Sequence, residues 1–178
     1  FFLPLLEIKP NRLASGLTVN LLELQTDYRY LILFLLSLVP IALALQSNVG
    51  RRGIGLVFAG NMMLFLTLFL PAMAATELLE TAETMFAEGT QISNPRVFTS
   101  SSIAVGLLGS YIVLFGGLMD LRESGTGPVL RILASSAGIL GCVFLFINGN
   151  LDNYSILVEF HTRGETLSER FVEHFVFV

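Results

Sequence analysis

The chain has 178 residues, 53% of them hydrophobic and only 13% charged, with a formal net charge of -4. A globular domain carries about 25% charged residues, so the composition points to an integral membrane protein of helical type, and the acidic balance argues against nucleic-acid binding. The lone cysteine, Cys142, lies inside an apolar run, where it reads as a small core residue with no intrachain disulfide partner.

Taken in order, Phe1 to Leu6 is an apolar stub with no basic region before it, too short for a signal peptide. It reads as the tail of an earlier segment, and the chain as a piece of a longer one. Glu7 to Asp27 carries turns at Pro10-Asn11-Arg12 and Ser15-Gly16, with Leu17 to Leu24 as a short surface helix or strand. Residues 28–46 form the first apolar run of nearly the 20 residues needed to cross a bilayer, with Pro40 inside it and Tyr28-Arg29-Tyr30 as its anchor. Asn48 to Arg52 reads as a turn carrying Arg51 and Arg52, and residues 53–75 as the second crossing. Asn61 lies in the middle third of that crossing. An amide in hydrocarbon normally faces another helix and bonds to it, so a helix contact is the first reading and a transport-pathway role the second.

Residues 76–89 alternate Glu77, Glu80, Glu83 and Glu88 with apolar residues at three- and four-residue steps, which predicts a separate amphipathic helix stopped by Gly89. Its acidic face, Glu77, Glu80 and Glu83, is either a docking face for an outer partner or a solvated face. A loop with Asn94-Pro95 follows. Residues 101–119 and 129–147 are the third and fourth crossings, joined by a turn at Ser124 to Pro128. Gly106-x-x-x-Ser110 in one and Ala134-x-x-x-Gly138, with Gly141, in the other predict that these two helices pack as a tight hairpin. Gly125-x-Gly127 is no nucleotide loop, since no strand precedes it and no lysine follows. Asp152 to His161 reads as a short helix, and Thr166 to Glu169 as a capping box that starts a last helix through Phe171.

The fold class read from this pattern is all-α. It is a polytopic membrane bundle of four complete transmembrane helices plus short amphipathic helices on the outer side. Residues 1–27 are stub and outer loop, 28–148 the bundle, and 149–178 an outer segment leading into a further helix. Arg51, Arg52, Arg122 and Arg131 sit in or beside the two short inter-span loops. Short basic loops stay cytoplasmic, so residues 46–52 and 120–131 are expected inside and 76–100 and 149–170 outside. Partners expected on these grounds are the lipid bilayer and no nucleic acid.

Little in the chain suggests chemistry. No carboxylate or lysine sits at mid-span, and no nucleophile–base pair or phosphate loop is visible. His161 and His174, near Glu165, Glu169 and Glu173, lack a cysteine or second histidine at ligand spacing. No catalytic residue, metal or cofactor is expected, and an enzyme acting through His161 and Glu165 is the weakest of the readings.

Two stretches carry a resemblance. Pro10-Asn11-Arg12-Leu13-Ala14-Ser15-Gly16 follows an apolar segment, and Gly149-Asn150-Leu151-Asp152-Asn153-Tyr154-Ser155, with Glu159-Phe160 and Arg163, precedes Phe171-Val172-Glu173-His174. Both resemble the N-terminal membrane extension of permease subunits of osmoprotectant ABC importers, the glycine betaine and choline type, in its Yeh-type branch. The resemblance implies an accessory part of a permease in the bacterial inner membrane. A permease core, an ATPase subunit and an extracytoplasmic solute-binding protein would be its partners. The sequence lacks the Glu-Ala-Ala coupling motif of the permease core, so the resemblance assigns no pore, coupling or ATPase contact to its residues. A competing reading is a stand-alone membrane scaffold using the Gly106/Ser110 or Ala134/Gly138 faces, with a homodimer left open in either case.

Overall fold

A computed structural model describes residues 4–11, 13–20, 28–45, 48–86, 90, 92, 94–159, 162 and 164, with backbone only at 28–31, 33, 34, 36, 37 and 83. Its elements run β1 (Pro4–Lys9), β2 (Leu17–Asn20), α1 (Tyr28–Leu45), α2 (Val49–Glu80), α3 (Ala82–Met85), β3 (Arg96–Thr99), α4 (Ser101–Glu123) and α5 (Pro128–Ile147). The long apolar runs are helical because a segment in hydrocarbon must satisfy every backbone N–H and C=O within itself. α2 is the hub: α1, α4 and α5 all pack on it, while α4 and α5 touch each other only lightly.

Three helices among the described residues, α2, α4 and α5, are long and apolar enough to cross a membrane. The expected count of four complete crossings is therefore not met. α1 forms as well, with 18 residues that span about 27 Å. α2 is longer than expected. At 32 residues it is about 48 Å long. The Arg51-Arg52 pair is not a turn but the first turn of this helix, closed by the Arg52 N–H donating to the Asn48 carbonyl at 2.8 Å. The Glu-rich stretch does not start a separate amphipathic helix: Thr76 to Glu80 prolongs α2, and only the single turn of α3 follows. No helix breaker lies between Ala75 and Glu80, and apolar Ala74, Ala75 and Leu78 keep one face of α2 buried there.

The all-α expectation is also corrected. β1, β2 and β3 form a three-stranded antiparallel sheet in the order β2-β1-β3. The register pairs Leu6 with Val19 on one side and with Thr99 on the other, and Ile8 with Leu17 and with Val97. Side chains two apart share a face of a strand. Leu6, Ile8, Val19 and Val97 are buried on this one, against Ala75 and Leu78 of α2. The segment read as an apolar stub is thus the central strand of the sheet. Beyond α5, a turn at Asn148 to Asn153 leads to Tyr154, which bridges Val97 of β3, and to a helical turn over Ser155–Glu159. The readings placed on His161, Thr166 to Glu169, Phe171 and His174 lie outside the described residues.

The bundle therefore has two unlike ends. One carries the sheet, the tail of α2 and the segment after α5. The other carries Arg51, Arg52, Arg122 and Arg131.

Candidate functional site

At the sheet end, Pro71 lies inside α2 and is fully buried. A proline has no N–H, so the carbonyl four residues back, that of Thr67, loses its helical donor. One residue along, the Tyr154 hydroxyl donates to the Leu68 carbonyl at 3.2 Å. Burial holds the Tyr154 phenol above its ordinary pKa, so it remains a donor. Asn153 Nδ2 donates to Thr76 Oγ1 at 2.8 Å, and Ser102 Oγ donates to the Pro4 carbonyl at 2.7 Å. Arg96 of β3 faces Glu159 at 3.6 Å. The segment after α5 is thereby tied to both α2 and the sheet. A shallow cleft of about 140 Å³ remains between Phe69, Met73 and Thr76 of α2 and Gly149, Asn150 and Asn153.

At mid-bundle, Asn61 joins α2 to α5. Its Nδ2 donates to the Val57 carbonyl of its own helix at 2.8 Å and to the Ala134 carbonyl at 2.9 Å. Its Oδ1 accepts the Gly138 N–H at 2.6 Å. Ala134 and Gly138 are the two ends of one i to i−4 rung of α5, so a single carboxamide engages both. The fit requires glycine, because a Cβ on Gly138 would lie 2.7 Å from Asn61 Oδ1 and 3.0 Å from Asn61 Cα. Gly141, one turn on, lies against the Phe65 ring.

The α2–α4 seam is built differently. A Cβ on Gly60 would lie 2.7 Å from the Leu114 nitrogen, and one on Gly117 would lie 2.6 Å from the Val57 nitrogen. Gly53 meets the Gly117–Leu121 stretch, and Gly106 meets the Thr67 side chain. Ser110 is buried in α4 and donates to the Leu107 carbonyl at 2.8 Å. The small faces of α4 and α5 are thus filled by α2 and do not form the expected hairpin with each other. Gly53, Gly60 and Thr67 recur every seven residues along α2. That spacing marks a helix seam and would have pointed to α2 as the shared partner.

At the arginine end, Arg52 makes a two-pronged bond to Asp120: Nε to Oδ2 at 2.6 Å and Nη2 to Oδ1 at 2.9 Å. Asp120 is buried and belongs to the last turn of α4. Arg51 and Arg122 are exposed, and Arg131 is half-buried with no hydrogen-bond partner for Nε. Of the acidic run, Glu80 is exposed and Glu77 half-buried, while the Glu83 side chain lies outside the described residues. Cys142 is half-buried in α5. Among the described residues no group of three or more His, Cys, Asp or Glu side chains could hold a metal ion.

A family model for the N-terminal domain of the ABC transporter permease YehY matches residues 1–157. The chain belongs to that family. No curated protein and no solved structure matches it. As an ABC permease domain it is a membrane component of a transporter and not an enzyme. The family also implies the lipid bilayer as its surroundings, and an ATPase and a binding-protein component as the partners of the transporter. The matched span takes in the first of the two stretches that carry the resemblance and the Gly149 to Ser155 part of the second. The first is the β1–β2 hairpin, where Asn11 Oδ1 accepts the Leu13 and Ala14 N–H groups at 3.0 and 2.9 Å. The second is the Gly149 to Ser155 segment that clasps α2 of the permease domain.

Proposed function

We propose that this chain is the accessory transmembrane part of an ABC importer permease for compatible solutes such as glycine betaine or choline, supporting the translocation core. The observation that carries the reading is the family match over residues 1–157, which covers the sheet and α1 to α5. In this reading α1 is a fourth crossing, tilted little because it is short, in the bacterial inner membrane. Four antiparallel helices then put both short connections at the arginine end, and that end is cytoplasmic. The positions of the arginines support this sidedness. Arg51 and Arg52 open α2 and Arg131 opens α5, where the helix dipole disfavours cations. Arg52 has a partner in Asp120, but the exposed Arg51 gains nothing from its helix, and the cytoplasmic preference of basic loops accounts for its charge. The sheet end, with the Glu77, Glu80 and Glu83 run, then faces the solute-binding protein.

The stand-alone scaffold is the less favoured reading, because Gly106 and Gly138 already abut Thr67 and Asn61 of the same chain. The test is uptake of labelled glycine betaine by cells stripped of other importers and supplied with the whole transporter. Uptake that choline competes with is expected. Transport of an unrelated solute alone would overturn the substrate class. Thiol labelling of cysteines placed at Arg51 and Glu80 is expected from opposite sides of the membrane.

A further inference from the structure

α4 is buried along the face that meets α2, but a second face is bare. Ala104, Leu108, Tyr111, Phe115 and Met119 are all exposed. They recur at i, i+4, i+7, i+11 and i+15, which is one stripe of a helix. Lipid tails could cover four of the five. Tyr111 is the exception. It is 63% exposed, and its ring stacks on Phe115 with centroids 6.0 Å apart. Its hydroxyl has no hydrogen-bond partner among the described residues. It is residue 11 of a 23-residue helix, about 15 Å from one end and about 18 Å from the other, too far for a phenol to reach the headgroups. Tyrosines of membrane helices collect at the two interfaces for that reason. A hydroxyl left unbonded in hydrocarbon is strongly disfavoured.

We infer that the Tyr111 stripe of α4 is the surface on which the body of the permease docks, through a transmembrane helix that presents a hydrogen-bonding group to the Tyr111 hydroxyl. Helical spacing fits a helix as the occupant, and a phenol at mid-span demands a polar atom that a lipid tail lacks. Membership in a family of permease N-terminal domains supplies the partner. The inference rests on the accessory-domain reading but not on the solute. If the permease body docks here and glycine betaine is not carried, the docking stands and the substrate class falls.

The experiment uses the whole transporter in native membranes, with a photo-crosslinking amino acid at Tyr111 or Phe115, followed by peptide mapping. Adducts to a transmembrane segment of the permease beyond residues 1–178 are expected. Adducts to lipid alone, to the ATPase or binding protein, or to residues 101–123 of a second copy overturn the inference. Tyr111→Phe gives an independent readout by sign. It removes only the hydroxyl, so a bonded phenol predicts roughly threefold less assembled transporter surviving a heat challenge in detergent. Unchanged or greater survival is the result for a lipid-facing ring and would overturn the docking.

Discussion

α2 holds α4 and α5 by opposite means. Against α4 the contact is spread along the helix, with Gly53, Gly60 and Gly117 letting backbone approach backbone and Gly106 receiving Thr67. Against α5 it is concentrated in Asn61, whose amide takes both ends of one rung. In lipid there is little hydrophobic drive to bring helices together, so close packing and interhelical hydrogen bonds must do it. The two seams show these forces nearly separated within one bundle. A distributed seam has no single bond to lose, yet any added side chain wedges it. A concentrated seam tolerates bulk elsewhere but depends on one residue.

Substitutions break the comparison in a definite order. Gly60→Leu drives a side chain into the Leu114 backbone, which cannot yield as a flexible side chain would. A loss of about 3 kcal/mol is expected, read as thermal unfolding of the purified protein in detergent. A wild-type melting temperature would show that the seam is looser than its geometry. Asn61→Leu keeps the volume and deletes the carboxamide, and its expected effect is about 1 to 2 kcal/mol. Crosslinks between cysteines on α2 and α5 should lose their register while α2–α4 crosslinks persist, and equal loss in both pairs would refute the division. Asp120→Asn is expected to do least. The Arg52 side chain is 37% exposed and that of Asp120 13%, and an amide at position 120 still accepts one of the two Arg52 bonds, so only part of the pair is lost. The small deficit should shrink as salt is raised, and a deficit unaffected by salt would mean that shape rather than charge holds this end.

The helices were legible because each apolar run is long and uninterrupted, and a bilayer leaves such a run one conformation. Asn61 was legible as a contact for the same reason: an amide at mid-span must bond to something. What the pattern could not reveal was the partner. Small residues four apart announce a close approach without saying to which helix, and Gly106 and Gly138 look alike whether they meet each other or α2. The sheet was hidden for a different reason. Pro4–Lys9 is only six residues long and pairs with Arg96–Thr99, some ninety positions away. Local periodicity carries no trace of pairing at that separation. The end of α2 was misplaced because the run was read against the width of a membrane, whereas its burial continues against β1 and β3.

The length of α2 makes it a lever. A swing of about 10° about its Arg52 end would carry the Glu80 end about 7 Å sideways, for an arm of about 42 Å. The sheet is bolted to the moving end through Ala75 and Leu78, and Tyr154 ties the tail of α5 to the same helix. A displacement slight at the arginine end would therefore become a stroke wider than a water molecule at the sheet end.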